Sequence, residues 1–108
     1  MLDLDARYLK IIKAILKEYV AEYEVHVFGS RVTGKAKLYS DIDLLLKGNE
    51  PLEWRRLESL KDAFSESNLP ISVDVVDWNT ISAEFAKMIA SYSQIIQESS
   101  PPKPHRSS

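Results

Sequence analysis

Apolar positions between Leu4 and Tyr19 recur every three to four residues. Leu4, Tyr8, Ile11, Ile12, Ile15, Leu16 and Tyr19 form one broad stripe, and Lys10, Lys13 and Lys17 lie opposite it. That period predicts a helix over residues 4–20, capped by Asp3 or Asp5, with the lysine face solvated. The period then shortens. Glu24-Val25-His26-Val27-Phe28 alternates and predicts a strand ending at Gly29. Gly29-Ser30 is a turn signal, and the polar stretch 31–40, with Gly34 inside it, predicts a short helix or loop. Ile42 to Lys47 carries the run Leu44-Leu45-Leu46, which predicts a strand buried on both faces. Gly48-Asn49 closes it. Pro51 suits a first helical position, and Trp54, Leu57, Leu60 and Phe64 continue that helix to about Ser67.

Asn68-Leu69-Pro70 breaks the helix. Ile71 to Val76 predicts a third strand, with Val73 and Val75 on one side and Ser72, Asp74 and Val76 on the other. Asp77-Trp78-Asn79-Thr80 reads as a turn with capping residues. Ile81, Phe85, Met88, Ile89 and Tyr92 share one helical face, and Ile95-Ile96 either extend that helix or form an edge strand. Residues 99–108, made of Ser, Pro, Lys, His and Arg, predict a disordered tail behind one folded domain, 1–98. The fold class is α/β (α+β): a small mixed sheet of three to four strands flanked by helices. The first two strands are joined by about ten residues, near the minimum for a parallel crossover, so their relative direction stays open.

Composition narrows the function classes. A chain of 108 residues with 44% hydrophobic content fits one ordinary globular domain. A net charge of −2 is not the basic footprint of a dedicated nucleic-acid binder, though one nucleotide needs only a few local donors. The absence of cysteine excludes disulfides, thiolate ligands and thiol nucleophiles, and is compatible with the cytoplasm. The acidic start Met1-Leu2-Asp3-Leu4-Asp5 is unlike a signal peptide, and no apolar stretch is long enough to span a membrane.

The candidate chemistry lies in residues 29–43. Gly29-Ser30 is followed, after ten residues, by Asp41-Ile42-Asp43 at the head of the apolar strand. Strand side chains alternate, so the two carboxylates point the same way, roughly 6 to 7 Å apart. Like charges about 4 Å apart repel by roughly 4 kcal/mol at an effective dielectric near 20, a cost that a divalent cation offsets. Asp74 interrupts a strand of Val and Ile, where aspartate is disfavoured. Beside the Asp41/Asp43 strand it completes a three-acid set suited to a hard cation, Mg²⁺ or Mn²⁺. Two such ions would activate an attacking oxygen and stabilise a leaving phosphate. The Gly29-Ser30 turn adds backbone N–H donors and a hydroxyl for triphosphate oxygens.

Phe28-Gly29-Ser30-Arg31, Gly34, Ser40-Asp41-Ile42-Asp43-Leu44 and Val73-Asp74-Val75-Val76 together resemble the minimal nucleotidyltransferases of the DNA polymerase β superfamily. The resemblance runs from about Val25 to Tyr92. It implies an enzyme that binds Mg²⁺ (two ions, or Mn²⁺ in their place) and an NTP, usually ATP, and transfers the NMP to a hydroxyl. It places Asp41, Asp43 and Asp74 as metal ligands and catalytic residues, with Asp74 assisting deprotonation of the acceptor. Gly29 and Ser30 hold the β- and γ-phosphates, and Arg31 adds a phosphate contact. The stand-alone members that this chain resembles are antitoxins paired with a small all-helical HEPN toxin, so AMP transfer onto a tyrosine of that partner is implied. Two other readings stay open: a binding antitoxin that only masks its partner, and a transferase for a small molecule or nucleic acid whose acceptor site belongs to a second subunit.

Several blander readings stand beside these. Asp77 could replace Asp74 as third acid, but alternation favours Asp74. Gly29-x-x-x-x-Gly34-Lys35 mimics a Walker A loop, but Ala36 stands where that loop needs Ser or Thr. His26 is expected at a surface or interface rather than as a ligand, and Trp54 and Trp78 at the core or its rim.

Overall fold

The computed structural model describes residues 4–29 and 42–99. The amphipathic N-terminal stretch forms α1, Ala6–Val20, which buries Ile12, Leu16 and Val20. Asp5 is its cap: the carboxylate accepts from the Arg7 backbone N–H at 2.8 Å and holds the Arg7 guanidinium at 3.0 Å, satisfying an otherwise orphaned amide. Asp3 lies outside the described residues, as do the short helix or loop expected over 31–40 and the tail from residue 100.

Four strands follow: β1 Glu24–Phe28, β2 Ile42–Lys47, β3 Val73–Asp77 and β4 Ser93–Gln97. Their spatial order is β3-β2-β1-β4. β1 runs antiparallel to both β2 and β4, while β2 and β3 are parallel. The sheet is therefore mixed, and the open direction of the first pair is antiparallel.

Alternation decides what each face meets. Val25, Val27, Ile42, Leu44 and Leu46 point to one side, where they join Ile12, Leu16 and Val20 of α1 and Leu60 and Phe64 of α2, Trp54–Ser65. Each such side chain taken from water contributes about 1.5–3 kcal/mol. Leu45 is buried on the opposite side, so β2 is covered on both faces as its leucine run predicts. There the ring of Phe85, from α3 (Ala83–Ser91), meets Phe28 edge-on with centroids 6.2 Å apart. Gln97 ties the edge strand back to α1, its amide donating to the carbonyls of Val20 and Tyr23 at 3.0 and 2.9 Å.

Five expectations are corrected. Pro51 is not a first helical residue, because α2 begins at Trp54 after the cap Glu53. The preceding segment is instead anchored by the buried Asp77 carboxylate, which accepts from the Leu52 N–H at 2.7 Å. Trp54 is not in the core: it is 67% exposed, and Leu60 and Phe64 carry the buried stripe. The same helix ends at Ser65, and the Ser67 hydroxyl donates to the Phe64 carbonyl at 2.6 Å. β3 starts at Val73 rather than Ile71 and includes Asp77. Finally, Met88 and Tyr92 do not share the buried face of Ile89. They are 53% and 58% exposed, and Ala86 and Ile89 are the residues of α3 that are buried. Ile95-Ile96 resolve as the edge strand β4.

Candidate active site

Strand register builds the site. Phe28 of β1 is paired with Asp43 of β2, Asp43 with Asp74 of β3, and Phe28 on its other side with Ser93 of β4. Residues directly opposite one another share a sheet face, and strands lie about 4.8 Å apart. Ser93, Phe28, Asp43 and Asp74 thus form one row across the sheet. Asp43 is half-buried and Asp74 is exposed. Both belong to the face opposite the α1/α2 core, on which Val73 and Val75 pack.

Gly29 follows Phe28 with φ +84°, a conformation that side chains rarely adopt. A β-carbon there would stand 2.6 Å from Oδ2 of Asp43. The turn therefore brings bare backbone against a carboxylate. Ser30, Arg31 and Asp41 lie outside the described residues. Of the sequence-derived site, Gly29, Asp43 and Asp74 are placed, and they converge at one end of the sheet.

Asp77 is not part of this set. In β3 it is paired with Leu46, a core-facing residue, and it is buried. Its Oδ2 accepts from the Leu52 N–H at 2.7 Å, and its Oδ1 from the Asn79 N–H at 2.9 Å. It caps the 3-10 turn Trp78–Thr80 and anchors the segment before α2. Trp78 sits at the rim, with the Lys47 ammonium 4.6 Å from its ring centroid.

Two carboxylates on adjacent strands, with hard oxygen donors and an open approach from Asp74, suit a divalent cation. Among the described residues no group of three acids or histidines is arranged to hold a metal. The third expected ligand, Asp41, falls outside them.

Sequence reasoning missed the row-mates of the acids. His26, one row away, lies between the Glu24 carboxylate (2.5 Å) and the Ser93 hydroxyl (3.3 Å), an interface position between strands rather than a site beside the acids. Phe28 follows from its place just before the glycine turn, but its contact with Phe85 needs the tertiary fold. Among the described residues no helix is long and apolar enough to cross a membrane.

A mixed four-stranded sheet with acids facing each other on neighbouring strands beside a glycine turn defines a nucleotidyltransferase-like protein. The family model "Polymerase beta, Nucleotidyltransferase" matches residues 10–101, and the chain belongs to that family. It is similar to the probable protein adenylyltransferase MntA of Haemophilus influenzae, 48% identical over 97 residues that cover 90% of this chain and 85% of that protein. Its fold matches a mutant toxin-antitoxin MntA-HpeT, with TM-score 0.71, 18% identity, and coverage of 84% of this chain and 73% of that one. It also matches a structure of a tri-AMPylated Shewanella oneidensis HEPN toxin in complex with an MNT antitoxin, with TM-score 0.58, 20% identity, and coverage of 84% and 70%.

Proposed function

We propose that the chain is a Mg²⁺-dependent protein adenylyltransferase that moves AMP from ATP to a tyrosine hydroxyl of a small helical HEPN partner and thereby acts as its antitoxin. The observation that carries this reading is the registered pair Asp43–Asp74 with the backbone of Gly29 set against Asp43. The 48% identity to a probable protein adenylyltransferase supports the protein acceptor.

In this reading Asp41, Asp43 and Asp74 hold the divalent cations, which supply Lewis acidity and offset the charge of the triphosphate. The N–H groups of the Gly29-Ser30 turn and the Ser30 hydroxyl bind β- and γ-phosphate oxygens, with Arg31 as a further phosphate contact. Asp74, at the exposed edge of the row, accepts the proton of the attacking hydroxyl. The acceptor oxygen forms a bond to the α-phosphorus, the α–β bridging bond breaks, and pyrophosphate leaves with the bonding pair. Phe28 flanks Asp43 on the side opposite Asp74.

The test combines the chain, its cognate HEPN protein, Mg²⁺ and α-labelled ATP. Label on the partner that is lost with Asp43→Asn, while the variant keeps its circular dichroism, is the expected result. Neutralisation of the partner that survives Asp43→Asn with no label would assign masking instead. Label on an RNA or a small molecule alone would move the acceptor to another class.

A further inference from the structure

Three large apolar side chains stand in solvent close together in sequence: Met88 at 53% exposure, Tyr92 at 58% and Ile95 at 48%. Scattered single exposures need no explanation, but a contiguous apolar strip marks an interaction surface. Phe85 and Met88 lie three residues apart on α3 and Tyr92 caps its C-terminal end, while Ala86 and Ile89 are the buried residues of the helix. Ile95 pairs with His26, and Ser93 with Phe28, so Ile95 faces the same side of the sheet as the acid row.

Phe85 brings this flank of α3 to the candidate site. Phe85 rests edge-on against Phe28, and Phe28 is the register partner of Asp43. This flank is therefore an apolar path beginning one strand away from the acids. We infer that Phe85, Met88, Tyr92 and Ile95 form the seat of the protein acceptor, and that an apolar face of the helical partner lies on this strip and holds its hydroxyl over Asp43 and Asp74. This rests on the transferase reading above and extends it to the surface that selects the substrate.

Side-chain chemistry favours that occupant. Two cavities of about 300 Å³ lie elsewhere, one between α1 and α2 beside Tyr19 and Arg56, the other beside Lys13, Lys17 and Gln97. The exposed side chains Met88, Tyr92 and Ile95 carry no formal charge, so they offer no cations for a phosphate backbone. A lone hydroxyl binds weakly, and its positioning must draw on contacts remote from the reacting atoms. A second macromolecule carrying the hydroxyl supplies them. The Shewanella oneidensis MNT antitoxin of similar fold is in complex with a tri-AMPylated HEPN toxin, which fits an acceptor held by a surface larger than its reacting group.

The test uses the double variant Met88→Lys/Ile95→Lys, which touches neither acid nor glycine turn. Affinity is measured by calorimetry for the cognate HEPN protein with its acceptor tyrosine changed to phenylalanine, so that no chemistry is required. ATP affinity, and kcat and KM for labelling of the unmodified partner, are measured alongside. The expected result is a loss of partner affinity of at least tenfold and a matching rise in KM for the partner, with kcat and ATP affinity unchanged. Unchanged partner affinity would overturn the inference, as would a change confined to self-association in sedimentation, which would assign the strip to a second copy of this chain. If the parent chain binds its partner but transfers no label, the transferase reading fails, and the affinity comparison still decides the surface.

Discussion

Gly29 and Asp43 are fitted to each other: a β-carbon on Gly29 would come within 2.6 Å of Oδ2 of Asp43, and Gly29 holds φ +84°. Two separate costs meet at this position. A side chain in left-handed backbone costs about 1–2 kcal/mol, and the new methyl pushes aside the carboxylate that the site needs. Gly29→Ala is therefore expected to lower stability by about 1–2 kcal/mol in urea denaturation. Its adenylylation rate should fall much further, about 100-fold, the scale of an ångström-size misplacement in a reacting geometry. A variant that loses stability but keeps its rate would show that the glycine serves the turn alone.

Asp74 faces Asp43 across a parallel strand pair. Like charges directly opposite one another destabilise a sheet by about 0.2–1 kcal/mol. With metal removed by EDTA, Asp74→Asn should raise the melting temperature by about 2–4 °C. With saturating Mg²⁺ and ATP the order should reverse. The parent chain gains about 2.7 kcal/mol when free ligand is a hundred times its Kd, and the variant forfeits that gain. Thermal shift under both conditions checks the sign of each change.

Asp77 differs from Asp74 in kind. Removing its carboxylate strands two backbone amides, those of Leu52 and Asn79. A buried donor left without a partner costs about 1–3 kcal/mol, so Asp77→Ala should lose about 2–4 kcal/mol in chemical denaturation. Asp77→Asn keeps one accepting oxygen and should lose less. Below their unfolding temperatures both variants should retain the kcat of the parent chain. A selective loss of kcat with the melting curve unchanged would return Asp77 to the catalytic set.

The sheet was legible because period and burial agree. Val25 and Val27 alternate with polar neighbours, and Leu44-Leu45-Leu46 requires cover on both faces and has it. Asp74 could be singled out because an acid in mid-strand contradicts local propensity, and register then placed it opposite Asp43. What local pattern could not supply was context. The apolar stripe of α3 is the same whether its flank meets the sheet or solvent, so Met88 and Tyr92 read as one helical face with Ile89, yet Ile89 is buried and they are exposed. Pro51 reads as a helix start, yet the helix begins only at Trp54, and the segment before it is anchored through Leu52 by Asp77, 25 residues further along. Phe28 is an ordinary strand residue until β1 is paired with β2, when it becomes the neighbour of a candidate metal ligand.

The Arg56 guanidinium links α2 to the end of α1. It donates to both carboxylate oxygens of Glu22, at 2.6 and 3.0 Å, and to the Tyr19 carbonyl at 2.7 Å, and its carbon lies 5.8 Å from the Tyr23 ring centroid. The hydrogen bond from Arg56 is the main cause holding the Glu22 carboxyl below its ordinary value of 4.5. A carboxyl depressed on folding contributes stability that is fully present above 4.5 and lost as pH falls through its folded value. Glu22 and Arg56 side chains are 45% and 41% exposed, so solvent screening limits the pair to about 0.2–1 kcal/mol. Glu22→Gln should therefore melt slightly below the parent chain at pH 7, and the gap should close in acid as Glu22 protonates. Arg56→Ala should cost more, about 1–2 kcal/mol, and keep part of that deficit in acid, because the Tyr19 carbonyl also loses its donor and Tyr23 its cover. Melting curves of the three proteins across pH 3–7 separate the two contributions: a Glu22→Gln gap that persists in acid would mean that the contact stabilises through packing rather than charge.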